Sequence, residues 1–437
     1  MDIIIAGAGR VGFNLARTLS IGHNVTVIDR NADALQRLQE SLDILPVHGD
    51  IEDPQTYRKL IEKEADLFIA VTDMDEANLI STLIVDDQVT AHRKIIRLRN
   101  TFFDTPTIRS RLGVDDAVFP LQLTSNTVAT LLDYPKANNV KTFQHTDMKL
   151  ISVKIEEEVR EGRIDEERMA VVGIERGKNF FVPNGDVIVK RGDLIYLFGD
   201  EASIRRLCGR FEHQAPTQIK TCVIFGAGDL GVAIARRLID EGIEVKLVEK
   251  DTTRCEAADE SLGGEAMTIS CKYGTSELFE EEGLAYADMM IAATNNDEYN
   301  IIKCLEGKEH GIHKVVAINN EREYYNLMHA LGIVVVRGPK MSAYNDILER
   351  INSSRVVLER HFCGGKATVF MRIIFETSHL VGKLIKPPKL KEAQVFLVRG
   401  EALIPFTEPT ELLASDLIAG FAAVEDAPRL KVWFYEL

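Results

Sequence analysis

Short apolar runs alternate with amphipathic segments along residues 1–120, and the pattern returns along residues 219–336. Runs such as Ile3–Ile5 and Asp66–Thr72 are too short for helices and predict buried strands. Segments such as Ala32–Leu42 and Tyr57–Glu64 predict the helices between them. Strands that alternate with helices of this length predict a parallel, doubly wound sheet, which is a Rossmann-type α/β fold.

A glycine-rich loop follows the first strand of each stretch and opens a predicted helix. The loops consist of Gly7, Ala8, Gly9, Arg10, Val11 and Gly12, and of Gly226, Ala227, Gly228, Asp229, Leu230 and Gly231. In such a loop the first glycine permits the tight turn, the second lets a pyrophosphate approach the backbone, and the third allows close helix packing. The helix N-terminus then attracts the phosphates. The alternative for each copy is that the loop is a purely structural turn that binds no nucleotide.

An acidic residue ends the second strand of each stretch, at Asp29 and at Glu249. A carboxylate at this place can accept hydrogen bonds from a ribose diol. It favours NAD over NADP because it would repel a 2′-phosphate. Arg30, which follows Asp29, weakens this argument because an arginine can accommodate the extra phosphate. The sequence therefore predicts NAD, with NADP as the open alternative.

The periodicity changes after Lys149, where paired strands without helical crossovers predict a small β-rich α+β module. A second such module follows the second Rossmann stretch, with Leu430–Tyr435 predicted as its last strand. The architecture is therefore a tandem duplication of a Rossmann domain and a β-rich domain. The predicted domains are residues 1–135, 136–214, 218–352 and 353–437. The helices Leu121–Asp133 and Ser342–Ile351 link the two kinds of domain and are candidate hinges.

Composition narrows the class of protein. The 437 residues are enough for three or four domains, and the net charge of −15 with no basic tract argues against nonspecific nucleic-acid binding. No apolar run approaches the ~18–20 residues of a spanning helix. The chain starts on the first predicted strand, so we expect no signal peptide. The six cysteines form no CxxC pair, which predicts reduced cytosolic thiols and no metal site.

The pattern T-x-x-D-E-x-N follows a buried strand in both halves, at residues 72–78 and 294–300. Acidic residues in the first turn of a helix stabilise it, so the alternative role of this pattern is to start the next helix without contacting a ligand. The pairing of its acidic residues and asparagine with Thr72 favours a ligand-facing role instead. The residues predicted to face the ligand are Thr72, Asp73, Asp75, Glu76 and Asn78, with Thr294 in the second half.

Three arginines are further candidates. Arg10 lies inside the glycine loop, where it can reach phosphate, and a solvated surface arginine is the equal alternative. Arg97 and Arg99 alternate along one strand, so their side chains share a face and can reach phosphate or acidic partners.

These motifs resemble those of the TrkA family, the cytosolic regulatory subunits of bacterial Trk potassium uptake systems. The resemblance covers essentially the whole chain, as two tandem RCK (regulator of K⁺ conductance) units. It implies binding of NAD(H), and for related units ATP or ADP, with Gly49 and Asp50 near the adenine. It also implies a homo-oligomer, a dimer or tetrameric ring, that docks on a membrane potassium transporter of the TrkH type. The protein would then be cytoplasmic and peripheral to the membrane through that partner.

The two halves differ at their predicted sites. When the halves are aligned on the shared glycines, the strand-end acidic residue and the threonine of the motif, Gly49 and Asp50 align with Cys271 and Lys272. In the same alignment, Arg97 matches Ala317 and Arg99 matches Asn319. Asp229 replaces Arg10 and places a carboxylate near the expected pyrophosphate. We therefore expect the first site to bind NAD(H) well, and the second to be weak, empty or specific for another adenine nucleotide.

The main rival function is an NAD-dependent dehydrogenase. Such an enzyme needs a substrate domain that presents an acid or base to the nicotinamide. The β-rich modules have no histidine near their turns, and we predict no catalytic residues. A redox-sensing transcriptional regulator is a further rival, but the sequence has no evident helix-turn-helix.

Overall fold

The first Rossmann stretch forms a six-stranded parallel sheet in the order β3-β2-β1-β5-β7-β8. In this computed structural model the described residues are 1–60, 64–134, 137–143, 146–155, 168–177, 179–183, 189–210, 218–271, 276–353 and 357–437. The strands of residues 1–118 are β1 (Asp2–Ala6), β2 (Asn24–Asp29), β3 (Leu45–His48), β4 (Glu64–Ala65), β5 (Leu67–Ala70), β6 (Thr90–Ala91), β7 (Lys94–Arg97) and β8 (Asp116–Val118). The helices of residues 10–133 are α1 (Arg10–Leu19), α2 (Ala32–Ser41), α3 (Pro54–Arg58), α4 (Asp75–Gln88), α5 (Pro106–Leu112) and α6 (Pro120–Asp133).

Both faces of this sheet are buried, as a doubly wound fold requires. Ile3 and Ile5 of β1 belong to one core with α1 and α2, whereas Ile4 belongs to a second core with Phe68 of β5 and helix α4. The alternation of side chains along the strand sends neighbours to opposite faces. The Rossmann-type fold is thus confirmed.

The β-rich stretch that follows is an antiparallel sheet in the order β12-β11-β13-β10-β9. Its elements are β9 (Ala137–Phe143), β10 (Thr146–Lys154), β11 (Met169–Arg176), β12 (Asn179–Phe181), β13 (Leu194–Gly199) and α7 (Glu201–Arg210). The predicted module of paired strands is therefore present in the described residues.

The second Rossmann stretch repeats the first, with the strand order β16-β15-β14-β17-β18-β19. Its strands are β14 (Thr221–Phe225), β15 (Glu244–Glu249), β16 (Met267–Ser270), β17 (Met289–Ala292), β18 (Lys314–Asn319) and β19 (Val334–Arg337). Its helices are α8 (Asp229–Asp240), α9 (Thr252–Leu262), α10 (Ser276–Glu281), α11 (Asp297–Glu309), α12 (Tyr325–Ala330) and α13 (Pro339–Ser353).

The second β-rich stretch has the order β20-β21-β26-β23-β24, which is the topology of the first. Its elements are β20 (Val357–Phe362), β21 (Ala367–Ile373), β22 (Leu384–Ile385), β23 (Ala393–Arg399), β24 (Ala402–Pro405), β25 (Thr410–Glu411), β26 (Leu417–Ala423) and α14 (Ala427–Glu436). An arginine–aspartate pair marks the equivalence of the two modules. Arg176 contacts the buried Asp193, and Arg399 contacts the buried Asp416, each at 2.7 Å.

Two predicted elements are wrong in detail. Residues 430–435 form part of helix α14 instead of a strand. Leu430 and Phe434 are four residues apart, and both are buried against β21 and β26. The sequence pattern predicted a strand because apolar residues are dense in this segment. The helix predicted over Tyr57–Glu64 is shorter and lies earlier, at Pro54–Arg58, while Glu64 begins β4. Residues 61–63 lie outside the described residues.

The backbone divides into two compact units. One consists of Met1–Ser125 with Arg337–Ile351, and the other of Asn126–Val336 with Asn352–Leu437. Most of α13 therefore belongs with the first Rossmann sheet, although its sequence follows the second. The four predicted domain boundaries remain a prediction. Among the described helices, none combines the length and the hydrophobicity needed to cross a bilayer.

Candidate functional site

The glycine loop of the first half leaves an open cradle at the start of α1. Gly7 has a φ of 114°, a conformation that favours glycine, and a Cβ on Gly12 would lie 1.8 Å from the carbonyl oxygen of Gly7. Gly9 differs, because a Cβ there would meet no atom within 4 Å. Gly7 and Gly12 are thus required by the fold, whereas Gly9 leaves space beside the helix N-terminus.

Asp29 lies at the carboxyl end of β2, beside the loop. One of its carboxylate oxygens accepts a hydrogen bond from the amide of Ala8 at 2.5 Å, and the other from the amide of Asn31 at 2.7 Å. The carboxylate therefore holds the glycine loop in place. Each carboxylate oxygen has a second lone pair, so Asp29 can still accept from a ribose hydroxyl.

The T-x-x-D-E-x-N pattern mainly ties the ends of two strands together. Asn78 is fully buried; its Oδ1 accepts from the amide and hydroxyl of Thr72, and its Nδ2 donates to the carbonyl of Arg97. The carboxylate of Asp75 accepts from the amides of Arg99 and Asn100. Asp75 and Asn78 thus shape the loops that bound the site. Glu76 is exposed on the first turn of α4.

Arg97 and Asp73 form an ion pair at the edge of this loop. The guanidinium of Arg97 is 2.7 Å from the Asp73 carboxylate and 3.1 Å from the carbonyl of Thr72. Partial burial would raise the pKa of Asp73, but the hydrogen bond from Arg97 and the charges of Arg97, Lys340 and Arg99 outweigh it, so the pKa is lowered. None of the described residues accepts a hydrogen bond from the buried Nε of Arg97.

These residues surround a cavity of about 290 Å³ at the carboxyl ends of β1, β2 and β5. Ten predicted residues line it: Gly7, Gly9, Arg10, Val11, Asp29, Arg30, Asp50, Thr72, Asp73 and Arg97. Sequence reasoning missed eight others: Ile28, Asn31, Ile51, Glu52, Val71, Met74, Ala77 and Lys340. Of these, Ile28, Ile51, Val71 and Ala77 are buried and apolar. Ile28, Ile51 and Ala77 belong to one core cluster and give the cavity an apolar wall.

Seven predicted residues do not line this cavity, namely Ala8, Gly12, Gly49, Asp75, Glu76, Asn78 and Arg99. Gly49 has a packing role, because a Cβ there would lie 2.5 Å from the hydroxyl oxygen of Thr56. Ala8 and Gly12 belong to the turn that positions the cradle. No histidine is among the lining residues. In the described part of the chain, no three His, Cys, Asp or Glu side chains are arranged to hold a metal ion.

The second half repeats the loop geometry. Gly226 has a φ of 109°, and a Cβ on Gly231 would lie 1.8 Å from the Gly226 carbonyl oxygen, whereas one on Gly228 would meet nothing within 4 Å. Glu249 accepts from the amide of Ala227 at 2.8 Å, as Asp29 does from Ala8. Thr294 donates to Asn300 at 2.6 Å, as Thr72 does to Asn78.

Hydrogen bonds correct the alignment of the two halves by one residue. Asn78 donates to the carbonyl of Arg97, and its counterpart Asn300 donates to that of Ile318. Arg97 therefore corresponds to Ile318, and the match to Ala317 was wrong. The amide of Asn320 contacts Asp297 as that of Arg99 contacts Asp75, so Arg99 corresponds to Asn320 and the match to Asn319 was also wrong.

The match of Gly49 to Cys271 is supported by equivalent backbone contacts. The amide of Gly49 donates to the carbonyl of Asp29, and that of Cys271 to the carbonyl of Glu249. Lys272, the predicted counterpart of Asp50, lies outside the described residues.

A tyrosine changes the second site most. Tyr299 stands where the first half has Ala77, because each residue precedes the buried asparagine of its motif. The ammonium of Lys250 lies 4.1 Å from the centre of the Tyr299 ring, and that of Lys303 lies 5.3 Å away. Burial, with nearby acidic groups, raises the pKa of Tyr299 to about 12. The ring therefore stays neutral, and both ammonium groups lie close to it.

Two glycine cradles on tandem Rossmann sheets, each followed by a β-rich module, define a class of tandemly duplicated Rossmann-type α/β proteins. The TrkA-N domain model matches residues 3–120 and 222–339, and the TrkA-C domain model matches residues 155–212. The chain belongs to the TrkA family. The resemblance inferred from the motifs is therefore confirmed.

Relatives match over almost their whole length. A Trk system potassium uptake protein TrkA homolog of Archaeoglobus fulgidus is 29% identical, covering 99% of this chain and 100% of the relative. The Trk system potassium uptake protein TrkA of Vibrio alginolyticus is 27% identical, covering 96% of this chain and 95% of the relative.

Solved structures show the same fold. The GsuK channel matches 100% of this chain with a TM-score of 0.62 at 17% identity, over 79% of the channel chain. The GsuK channel bound to NAD matches with a TM-score of 0.60 at 18% identity, also over 100% of this chain and 79% of that one. At these identities the likeness concerns the fold alone.

Proposed function

We propose that this protein is a non-catalytic, nucleotide-sensing regulatory subunit that binds NAD(H) in its first Rossmann half and gates a membrane potassium transporter of the TrkH type. The observation that carries the binding step is the cavity at the start of α1. There an open glycine cradle, a strand-end carboxylate and a buried arginine meet, and no residue that the structure describes accepts a hydrogen bond from the Nε of this arginine. A related fold has been solved with NAD bound, which supports the choice of ligand.

Each part of the cavity suits a part of the nucleotide. The open side of Gly9 and the amides of α1 suit the pyrophosphate. Asp29 suits the adenosine ribose. The apolar wall of Ile28, Ile51 and Ala77 suits the flat adenine ring, and Asp50 beside it can accept from the exocyclic amine. ATP or ADP shares all of these groups and is the alternative ligand for the same site.

The lining of the cavity argues against the dehydrogenase. No histidine lines it. The carboxylate of Asp29 accepts hydrogen bonds from backbone amides, and the carboxylate of Asp73 is paired with Arg97. A hydride-transfer enzyme needs an acid or base poised beside the nicotinamide. The names of the relatives, which refer to potassium uptake, support a regulatory role.

Gating in this proposal is a shift between arrangements of the protein. A nucleotide changes the transporter only if it binds one arrangement more tightly than the other. The helices α6 and α13 are the proposed hinges. The protein is proposed to act as a homo-oligomer, a dimer or tetrameric ring, on the cytoplasmic face of the membrane and attached through its partner.

Isothermal titration of the full-length protein with NADH, NAD⁺, ATP and ADP tests the binding step. Gly9→Val should abolish binding, because its side chain fills the cradle while its Cβ meets no atom within 4 Å. Gly22→Val is the matched control, since that glycine also has open space around its Cβ and does not line the cavity. Unchanged nucleotide binding by folded Gly9→Val protein would refute the site.

Potassium uptake in cells that lack their own regulatory subunit tests the gating step. Wild-type protein with its transporter should restore nucleotide-dependent uptake, and Gly9→Val should not. Steady turnover of NADH with any metabolite would instead support the alternative that the protein is a dehydrogenase.

A further inference from the structure

One residue of the cavity in the first half comes from a distant part of the sequence. Lys340 lies in the first turn of α13, which follows the second Rossmann sheet along the chain. It is exposed, it lines the cavity, and its positive charge acts on Asp73. In the sequence, Leu121 of α6 is its counterpart, because Pro120 and Pro339 each open the equivalent helix.

The position of Lys340 is set by tight packing of its helix. Ala343, Ile347 and Ile351 of α13 are buried in the same core as Leu15 of α1. The hydroxyl of Tyr344 lies 2.7 Å from that of Thr18, and Asn14 contacts Met341. The other end of the helix is held as well, since Arg350 contacts Asp116 at 2.9 Å. The backbone that carries Lys340 is therefore a fixed part of the wall.

The sheet order shows which part of a ligand this lysine would meet. Asp29 lies at the end of β2, on one side of β1, whereas Asp73 and Arg97 follow β5 and end β7 on the other side. With the pyrophosphate at α1 and the adenosine over β2, the rest of the ligand must extend over β5. Lys340 is on that side because it is one of the cations near Asp73. A terminal phosphate would extend toward it.

We propose that Lys340 is a specificity-determining residue of the first nucleotide site, which senses the phosphate charge that a bound adenine nucleotide places over β5. Asp73 is the internal competitor for Lys340 and Arg97, so the ligand phosphate must replace a carboxylate that is already paired. This inference rests on the proposed function of the cavity. It also links that cavity to the second half, since α13 continues into the chain of the other unit after Ile351.

Titration of the full-length protein with ATP, ADP and NADH at one salt concentration tests this inference. Because a charge-assisted contact is lost, Lys340→Gln should weaken ATP binding about 10-fold, ADP about 3-fold and NADH least. Lys340→Arg should retain most of the affinity for ATP. Asp73→Asn should strengthen ATP binding, since it removes the competing carboxylate. Lys59→Gln removes the same charge from an exposed residue that does not line the cavity and is the control.

Hydrogen exchange supplies a second measurement. ATP should protect the amides of residues 340–351 in the wild-type protein, and this protection should be lost in Lys340→Gln. The inference is overturned if Lys340→Gln weakens all three ligands equally, if Lys59→Gln has the same effect, or if ATP leaves these amides unchanged. In each of those results the wild-type protein still binds nucleotide, so the proposed function stands. If the wild-type protein binds no nucleotide, both are refuted.

Discussion

The two Rossmann halves of this protein share a backbone but differ in the side chains around the glycine cradle. Gly7 and Gly226 have nearly the same positive φ, and Gly12 and Gly231 are equally constrained. Around the cradle, however, Ala77 becomes Tyr299 and Arg97 becomes Ile318. A duplicated fold thus keeps the residues that its turns require, and it is free to change those that only a ligand would contact.

The same contrast appears in the β-rich modules. Both keep the pair of an arginine with a buried aspartate, Arg176 with Asp193 and Arg399 with Asp416. Glu175 precedes the first of these arginines, whereas Val398 precedes the second. Only the first module therefore places a carboxylate at this position.

The largest expected effect comes from exchanging the residue that differs most between the sites. Ala77→Tyr should weaken NADH binding about 100-fold, or about 2.7 kcal/mol, because the ring fills the apolar wall of the cavity. Titration calorimetry measures the change, and Tyr299→Ala is the reciprocal variant. Full affinity in folded Ala77→Tyr protein would show that the tyrosine does not separate the two sites.

Glu175 should contribute stability that depends on pH. Burial would raise its pKa, but the interactions with His329, whose Nε2 is 3.7 Å away, and with Lys366 and Cys363 outweigh this and lower the pKa to about 2. Because the folded pKa lies below the ordinary value of 4.5, the stabilisation is present above about pH 4.5 and is lost as the pH falls toward 2. Glu175→Gln should therefore cost about 2 kcal/mol at pH 7 and progressively less below pH 4.5.

Chemical unfolding of the full-length protein at pH 7, 5 and 3 measures this difference. Glu401→Gln is the control, because that side chain is 86% exposed. A loss of stability that is the same at all three pH values would contradict the ionic explanation.

Arg97→Ile installs the residue of the second half and should weaken nucleotide binding about 10-fold, since one charged hydrogen-bonding group is lost from the cavity. Arg99→Asn makes the equivalent exchange at a half-exposed side chain and should have a smaller effect. Equilibrium dialysis with labelled NADH ranks the two variants. Equal losses would mean that burial of Arg97 does not matter.

The smallest expected effect is at the first residue of α1. Arg10→Asp should weaken NADH binding about 4-fold at low salt and less at high salt, because the charge is exposed and screened. Arg37→Asp makes the same change of charge on α2, away from the cavity, and should leave binding unaltered. If the loss persists undiminished in high salt, the effect is not electrostatic.

The sequence predicted the parts of the site that lie close together along the chain. The glycine loop, Asp29 and the T-x-x-D-E-x-N motif each occupy a few consecutive residues, and their geometry follows from local backbone rules. The functional reading of the motif was less successful. Asp75 and Asn78 point inward to tie two strands together, and Glu76 does not line the cavity.

Alignment of the halves on sequence landmarks failed where loop lengths differ. Asn78 and Asn300 are 222 residues apart along the chain, and the strand residues that they contact, Arg97 and Ile318, are 221 apart, whereas the match of Arg97 to Ala317 implied 220. In a strand, a shift of one residue exchanges the two faces of the sheet. The correct partner became visible only when the same asparagine contact was found in both halves.

The sequence by itself determined the duplicated Rossmann and β-rich organisation, the two glycine cradles and the family. These features depend on local periodicity and on turns that only glycine can make. The tertiary structure decided which side chains meet around the cradle. It placed Lys340 in the wall of a cavity whose other residues lie within the first hundred, and Tyr299 close to two lysines. Such contacts depend on how distant segments pack, and no local pattern in the chain records them.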